Sequence, residues 1–187
     1  MQNPVALLPV DNNGVLLSFS LPPATGASTL TGQLIFGINT ESNNHIPDTF
    51  TVYPADPTTL SFTTTYQGRN ISESFIDSGS NGFFYHNPYL ALCPGSPWYC
   101  PAALSGQHAT NTGFDSPNSG LVKFNIANAF GLFISGNAAF FDLGADLGGG
   151  TLFDWGLPFF FGRKVFVGIA GKSITGVTES TPLWAYK

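Results

Sequence analysis

Charge is scarce in this chain. Only 9% of its 187 residues are Asp, Glu, Lys or Arg, whereas soluble domains usually carry roughly 25%. Six Lys and Arg stand against eleven Asp and Glu, the net charge is −5, and the basic residues are spread along the sequence. The sequence therefore predicts no nucleic-acid partner. Pro, Gly and charged residues interrupt every apolar run before about 18 residues, so no membrane span is predicted.

Cysteine is nearly absent as well, with two residues in the chain. Cys93 and Cys100 enclose the turn-rich segment Pro94 to Tyr99, which can bring their Cα atoms within disulfide range. A disulfide and two free buried thiols are both compatible with this spacing, and a structural zinc site is not. The low charge and the cysteine pair favour a protein that is secreted, periplasmic or on the cell surface. Met1 to Val10 lacks the features of a signal peptide, so an exported protein would carry its signal upstream.

Glycine, proline and phenylalanine are abundant, at 22, 14 and 18 residues. The length suits one domain with a substantial core, and we predict a single unit over residues 1–187. From 87 to 120 the composition shifts to Pro, Gly, Ser, Asn and Ala, which predicts a long surface loop with little more than a helical turn. Alternating polar and apolar residues predict strands at Val15–Phe19, Gln33–Ile38, Thr49–Tyr53, Ser61–Tyr66 and Ile71–Asp77.

The last of these strands ends in an unusual stretch, Ser74 to Tyr85, where a carboxylate lies between two apolar segments. The residues after Asp77 are Ser78, Gly79 and Ser80. A strand that breaks into Asp-Ser-Gly-Ser predicts a tight turn, because Gly accepts positive φ and the short side chains bond the local backbone. On these residues alone, Asp77 is either a turn cap or a functional carboxylate held at the end of a rigid strand.

The segment Phe75 to Ser80 resembles the active-site loop of the pepsin-like aspartic peptidases, in which two apolar residues precede Asp, Thr or Ser, Gly, and Ser or Thr. Those enzymes also have a later strand of two apolar residues and a Gly that runs beside the Asp loop, and Phe160 Phe161 Gly162 is similar in type and order. Leu30 to Gly37 resembles the strand that opens the second lobe. More narrowly, Val5 to Asn44 is similar to the C-terminal lobe of a bacterial two-lobed family of unknown function.

This resemblance implies an all-β fold, a single pepsin-type lobe of stacked, mostly antiparallel sheets with little helix. It also implies a peptidase site in which Asp77 is one of two catalytic carboxylates, Ser80 holds its outer carboxylate oxygen, Ser78 bonds across to the matching loop, and Gly79 lies in the turn. Phe161 and Gly162 are the expected supporting strand. Arg163 departs from the pepsins and is more similar to the Gly-Arg of dimeric retroviral peptidases, which suggests a contact near the site, a subunit contact or a solvated side chain.

One lobe of this kind provides one catalytic Asp, because no other acidic residue of the chain lies in an Asp-Ser-Gly or Asp-Thr-Gly context. Asp154 precedes Trp155 Gly156 and lacks the hydroxyl. The second carboxylate is expected from a homodimer partner or from a second lobe upstream of Met1, and without either the lobe is inert. The activity would then be that of an aspartic endopeptidase acting on peptide substrates.

The competing hypothesis is a non-catalytic secreted β-rich binding module, in which Asp77 is structural and Phe-rich faces or the 87–120 loop contact a partner. No cofactor or metal is predicted. Asp142 and Asp146 lack the ligand density of a calcium loop, the glycines at 148–150 are not followed by Lys-Ser or Lys-Thr, and the histidines lie in unpatterned loops. His86 is the one histidine close enough in sequence to border a cleft at Asp77.

Overall fold

The structure is a computed structural model that describes residues 3–179 and 181–187. This part of the chain is built almost entirely from β-strands, with one α-helix of five residues, α1, at Ala129–Phe133 and short 3-10 helices at Pro4–Leu7 and Leu157–Phe160. The prediction of an all-β fold is confirmed. The strands are β1 Gly14–Phe19, β2 Gly32–Phe36, β3 Thr51–Pro54, β4 Phe62–Tyr66, β5 Arg69–Phe75, β6 Phe83–Tyr85, β7 Ser105–Thr112, β8 Ser119–Ile126, β9 Gly144–Ala145, β10 Leu152–Asp154, β11 Lys164–Gly168 and β12 Leu183–Tyr186.

The strands form two sheets that pack on a common core. The five-stranded sheet has the order β2-β1-β11-β12-β3 and is antiparallel throughout. The seven-stranded sheet has the order β8-β7-β4-β5-β10-β6-β9, and in it β10 is parallel to β5 and β9 is parallel to β6. Aromatic side chains join the two sheets: the ring of Phe62 in β4 meets Trp184 of β12 edge-on at 5.3 Å. Such pairs stabilise a core beyond the area they bury.

The first five strands lie close to their predicted positions. β4 and β5 form the hairpin expected from the sequence, and Tyr66 pairs with Arg69 across a two-residue turn. Gln67 and Gly68 in that turn both have positive φ, of 50° and 74°. Two positive φ angles match the right-handed twist of the flanking strands, so the turn delivers β5, and the Asp77 loop that follows it, in a fixed register.

The prediction of a long surface loop over 87–120 is wrong in its second half, where β7 occupies 105–112 and β8 begins at Ser119. The strand β7 is polar in sequence, yet Asn111 is fully buried. Its amide donates to the hydroxyl of Tyr186 at 2.8 Å and its carbonyl oxygen accepts from Thr64 at 2.8 Å. Because these bonds satisfy a buried polar side chain, a strand without apolar alternation fits into the sheet.

The apolar run Leu157–Phe161 predicts a central strand covered on both faces, but this prediction is wrong, because a 3-10 helix covers Leu157–Phe160. Phe159 and Phe160 are 0% and 1% exposed, so the continuous apolar run reports burial on all sides and not extended backbone. Pro158 lies in the first turn of this helix, where a missing N–H costs nothing.

Cys93 and Cys100 are joined by a disulfide bond, which closes the loop that carries Trp98. Within the described residues, the structure contains no helix that is long and apolar enough to cross a membrane.

Candidate functional site

The Asp loop, residues 76–82, connects β5 to β6. Ile76 is buried at 7% exposure, which anchors the loop in the core. Asp77 is half-buried, and Ser78 and Gly79 are exposed. The loop therefore leaves the core at Ile76, and the following residue, Asp77, brings a carboxylate toward the surface.

Both carboxylate oxygens of Asp77 accept hydrogen bonds from within the loop. The backbone N–H of Gly79 donates to Oδ1 at 2.7 Å, and the hydroxyl of Ser80 donates to Oδ2 at 3.1 Å. The N–H of Ser80 also donates to the Asp77 carbonyl oxygen at 3.3 Å, which closes the turn. These donors stabilise negative charge and fix the orientation of the carboxylate.

The strand β10 lies between the two arms of the Asp loop. Phe153 pairs with Ser74 of β5 in parallel and with Tyr85 of β6 in antiparallel orientation. Beyond the end of β10, the N–H of Trp155 donates to the carbonyl oxygen of Phe75 at 3.0 Å. The strand β10, which lies about 75 residues further along the sequence, thus pairs with the strand that precedes the loop and with the strand that follows it.

Gly156 packs directly against this loop. It has φ 52° and ψ −178°, a conformation that is essentially restricted to glycine. A Cβ atom there would lie 1.9 Å from the carbonyl oxygen of Gly82. The next residue, Leu157, donates its N–H to the carbonyl oxygen of Ser80 at 2.6 Å. Gly156 thus allows its backbone to approach the Asp loop closely, and the hydrogen bond from Leu157 holds the two segments together.

The expectation that Phe161 and Gly162 support the Asp loop is therefore corrected. Phe161 bridges to Phe19 of β1, the N–H of Gly162 donates to the carbonyl oxygen of Phe19 at 3.1 Å, and a Cβ on Gly162 would meet Leu21. Asp-Trp-Gly at 154–156 takes the place expected for Phe-Phe-Gly because β10 threads the loop six residues earlier in the chain. A glycine after a short buried strand, followed by Leu-Pro, was the signal that could have identified it.

Asp154, which lacks the Asp-Ser-Gly context and was not predicted to belong to the site, places a second carboxyl group near the first. Asp154 is buried at 5% exposure, and its Oδ1 accepts from the N–H of Gly156 at 2.8 Å. Burial raises the pKa of Asp154, and the neighbouring charge of Asp77 raises it further, while hydrogen bonds from Ser80 and Gly156 act in the opposite direction. The hydroxyl of Ser80 donates to Asp77 at 3.1 Å, and its effect on the pKa of Asp154 indicates that it also lies near that carboxyl group.

An aromatic ledge begins next to the Asp loop. A Cβ on Gly82 would lie 3.2 Å from the ring of Trp98, and Trp98 contacts Phe133 of α1 edge-on at 5.3 Å. Phe133 is 47% exposed, and its neighbours Phe130 and Ile134 are 65% and 71% exposed. This ledge offers an apolar surface for a bound chain.

His86 and Asp146, two other residues considered in the sequence, contact each other. The Nδ1 of His86 lies 3.0 Å from a carboxylate oxygen of Asp146, and the N–H of Gly148 donates to the same carboxylate at 2.6 Å. In the part of the chain that the structure describes, no group of three or more His, Cys, Asp or Glu residues is placed to hold a metal ion.

Asp142 is a third buried carboxyl group, 3% exposed, in the segment between α1 and β9. Burial raises its pKa from the ordinary 3.8 to about 6, an effect that a hydrogen bond from its own backbone N–H only partly offsets. The fold thus favours the neutral form of Asp142. Its contribution to stability is fully present below about pH 4 and is lost as the pH rises through 6.

We expect Asp142→Asn to flatten the dependence of stability on pH. The wild-type protein should lose up to about 3 kcal/mol of unfolding free energy between pH 4 and pH 7 at this group, at about 1.4 kcal/mol for each pH unit between the two pKa values, and the variant should not. Urea unfolding at both pH values measures the difference. Asp48→Asn, at an exposed carboxylate, is the matched control, and equal pH dependence in Asp142→Asn and the wild-type protein would contradict the assignment.

Comparison with known proteins identifies one family. No curated protein and no solved structure matches the chain at the significance required. A family model described as "Protein of unknown function (DUF3443)" matches residues 1–186. Because this match spans almost the whole sequence, the chain belongs to the DUF3443 family.

Proposed function

We propose that this chain is one lobe of an aspartic-type endopeptidase, in which Asp77 is one carboxylate of a catalytic pair. The observation that carries the proposal is the Asp loop threaded by β10, with both oxygens of Asp77 held by Gly79 and Ser80 and with Gly156 packed against Gly82. A strand that ends in a glycine beside an Asp loop is the arrangement that the resemblance to pepsin-like peptidases implies.

The proposed chemistry is hydrolysis of a peptide bond by paired carboxyl groups. Two carboxyl groups within hydrogen-bond distance share one proton, because like charges at that distance resist double ionisation. The ionised group takes a proton from water as the water attacks the peptide carbonyl carbon, and the protonated group donates to the carbonyl oxygen. The other catalytic carboxyl group comes from the partner lobe, either a second copy of this chain or a lobe upstream of Met1.

Asp154 gives this lobe a second carboxyl group, which can donate a hydrogen bond when it is protonated. The hydroxyl of Ser80 has one hydrogen and faces two carboxyl groups, and it donates that hydrogen to Asp77. An ionised Asp154 would compete for that hydrogen, which is how Ser80 lowers the pKa of Asp154, whereas a protonated Asp154, the form favoured as burial raises its pKa, can donate to the Ser80 oxygen. In the protonated state of Asp154 we infer a chain in which Asp154 donates to Ser80 and Ser80 donates to Asp77, which keeps Asp77 oriented and negatively charged. Asp154 is a positioning residue in this scheme.

A non-catalytic binding module is the second candidate function, and the aromatic ledge favours it. Phe130, Phe133 and Ile134 present apolar surface without requiring chemistry at Asp77. In this alternative the hydrogen bonds of Asp77 only cap a turn. Export to the periplasm, the cell surface or the medium suits both functions, and the Cys93–Cys100 disulfide supports it.

The test is to measure solution mass by light scattering and cleavage of an unfolded protein in the same samples over a range of chain concentrations. If the homodimer provides the pair, the specific activity should rise with the dimer fraction and vanish for the monomer. If the other lobe lies upstream, the monomer should be inactive alone and gain activity when that lobe is added. A folded dimer that cleaves nothing, alone or with the upstream lobe, would favour the binding module.

A further inference from the structure

The strand β8 forms a free edge of the seven-stranded sheet. It pairs over all eight of its residues with β7, and among the described residues no strand pairs with its other side. Alternate backbone N–H and C=O groups of an edge strand point away from the sheet and are available to another extended chain. Edge strands of this length are usually covered or protected, so an open one marks a place for a partner.

A groove runs along this free edge. It consists of two adjoining cavities of about 390 Å³ and 350 Å³, and both are lined by Lys123, Arg163 and Lys187. The β8 wall covers residues 120–125, which extend over about 20 Å at ~3.4 Å per residue. The groove therefore has the length of an extended segment of about six residues. Apolar side chains complete its lining.

The groove is basic although the protein is acidic. Three of the six Lys and Arg residues of the chain line it, whereas no Asp or Glu does. The sequence shows no basic cluster, and only the fold brings positions 123, 163 and 187 together. In a chain with net charge −5, this concentration of positive charge gives a local potential that attracts an anion.

Arg163 at the centre of the groove has no carboxylate partner among the described residues. Its guanidinium donates to the carbonyl oxygen of Phe159 at 2.8 Å and lies 4.7 Å above the Phe159 ring. These contacts hold the group in place and leave it further N–H donors. A half-buried, oriented guanidinium is well suited to bind a carboxylate.

We propose that this groove binds an extended acidic peptide segment, which adds to the seven-stranded sheet as a strand beside β8. The backbone of the segment pairs with the free edge, and its Glu or Asp side chains meet Lys123, Arg163 and Lys187. Backbone pairing distinguishes a peptide from other polyanions, because nucleic acids and sulfated sugars cannot continue a β-ladder. No residue of the Asp loop lines the groove, and the proposal does not depend on Asp77.

The test is fluorescence anisotropy with a labelled eight-residue peptide that alternates Glu and Val. The same peptide with Lys in place of Glu is the charge control, and the Glu peptide with alternate backbone amides methylated is the pairing control. We expect the acidic peptide to bind, the basic peptide not to bind, and methylation to weaken binding at least tenfold. Equal binding of the acidic and basic peptides, no binding of the acidic peptide, or no effect of methylation would overturn the proposal.

Two charge-reversal variants test whether the peptide binds in this groove. Lys123→Glu changes an exposed side chain of β8 and should weaken binding of the acidic peptide at least tenfold, with the loss reduced at high salt. Lys164→Glu makes the same change at an exposed position outside the groove and should leave binding nearly unchanged. Equal effects of the two variants, or competition by a short oligonucleotide at lower concentration than by the peptide, would contradict an acidic peptide as the occupant.

Discussion

Asp77→Asn is expected to lower the rate of peptide cleavage by the paired form ~10²- to 10⁴-fold, the range that general acid–base catalysis contributes. Asparagine has nearly the shape of aspartate and keeps an oxygen that can accept from the N–H of Gly79, so the turn should persist. It cannot take a proton from the attacking water, however. The measurement is the initial rate of cleavage of an unfolded protein, with circular dichroism and solution mass as checks on folding and pairing.

Asp56→Asn is the matched control for the turn itself. Asp56 is half-buried and its Oδ1 accepts from the N–H groups of Thr58 and Thr59 at 2.7 and 3.1 Å, the same local role that Asp77 has in its loop. This variant should keep full activity. If Asp56→Asn and Asp77→Asn lose activity equally, the effect of Asp77→Asn is one of stability and not of chemistry.

Asp154→Asn separates the two carboxyl groups by their roles. The amide of asparagine can donate to Ser80 as a protonated carboxyl group does, so most of the activity should remain. Because the amide cannot ionise, the decline in activity toward higher pH should begin at a higher pH than in the wild-type protein. Asp154→Leu removes the donor and should lose more. Equal loss in Asp154→Asn and Asp154→Leu would contradict the proposed chain from Asp154 through Ser80.

Gly156→Ala is expected to give the largest loss of stability. Its backbone conformation, with φ 52° and ψ −178°, costs a residue with a side chain about 1–3 kcal/mol. The new methyl group would also stand 1.9 Å from the Gly82 carbonyl oxygen, where only backbone movement can relieve the clash. We expect a loss of at least about 3 kcal/mol in the free energy of unfolding, or failure to fold.

Gly171→Ala controls for a positive φ without the steric clash. Gly171 also has a positive φ, of 74°, and a Cβ there meets no atom within 4 Å. We therefore expect this substitution to cost only about 1–2 kcal/mol. The comparison uses urea unfolding of both variants and of the wild-type protein. A Gly156→Ala variant as stable as Gly171→Ala would contradict the close contact between Gly156 and the Asp loop.

The sequence was informative where local chemistry determines structure. Asp-Ser-Gly-Ser after two apolar residues placed the loop at Asp77, since such a turn needs only its own side chains and amides. The hairpin before it could be predicted for the same reason: the Gln67 Gly68 turn lies between two strands with regular alternation. The spacing of Cys93 and Cys100 is likewise local information, because the turn-rich segment between them can bring their Cα atoms within disulfide range.

The sequence was misleading where contacts between residues distant in sequence determine the structure. Phe160 Phe161 Gly162 has the expected composition of a supporting strand, but β10 pairs with both arms of the loop earlier in the chain and leaves the later apolar residues to form a 3-10 helix. Asp154 looked like an isolated acid because its neighbours Ser80 and Asp77 are remote in sequence. The buried Asn111 and the basic groove depend in the same way on partners that only the fold brings together.

The central claim is most directly tested by the rate at which the wild-type protein, folded and paired, cleaves an unfolded protein from pH 3 to pH 8. A pair of carboxyl groups that shares one proton predicts a maximum at acidic pH and a fall as that proton is lost at higher pH. Activity that rises steadily into alkaline conditions, or no cleavage at any pH by a folded and paired sample, would contradict a catalytic role for Asp77.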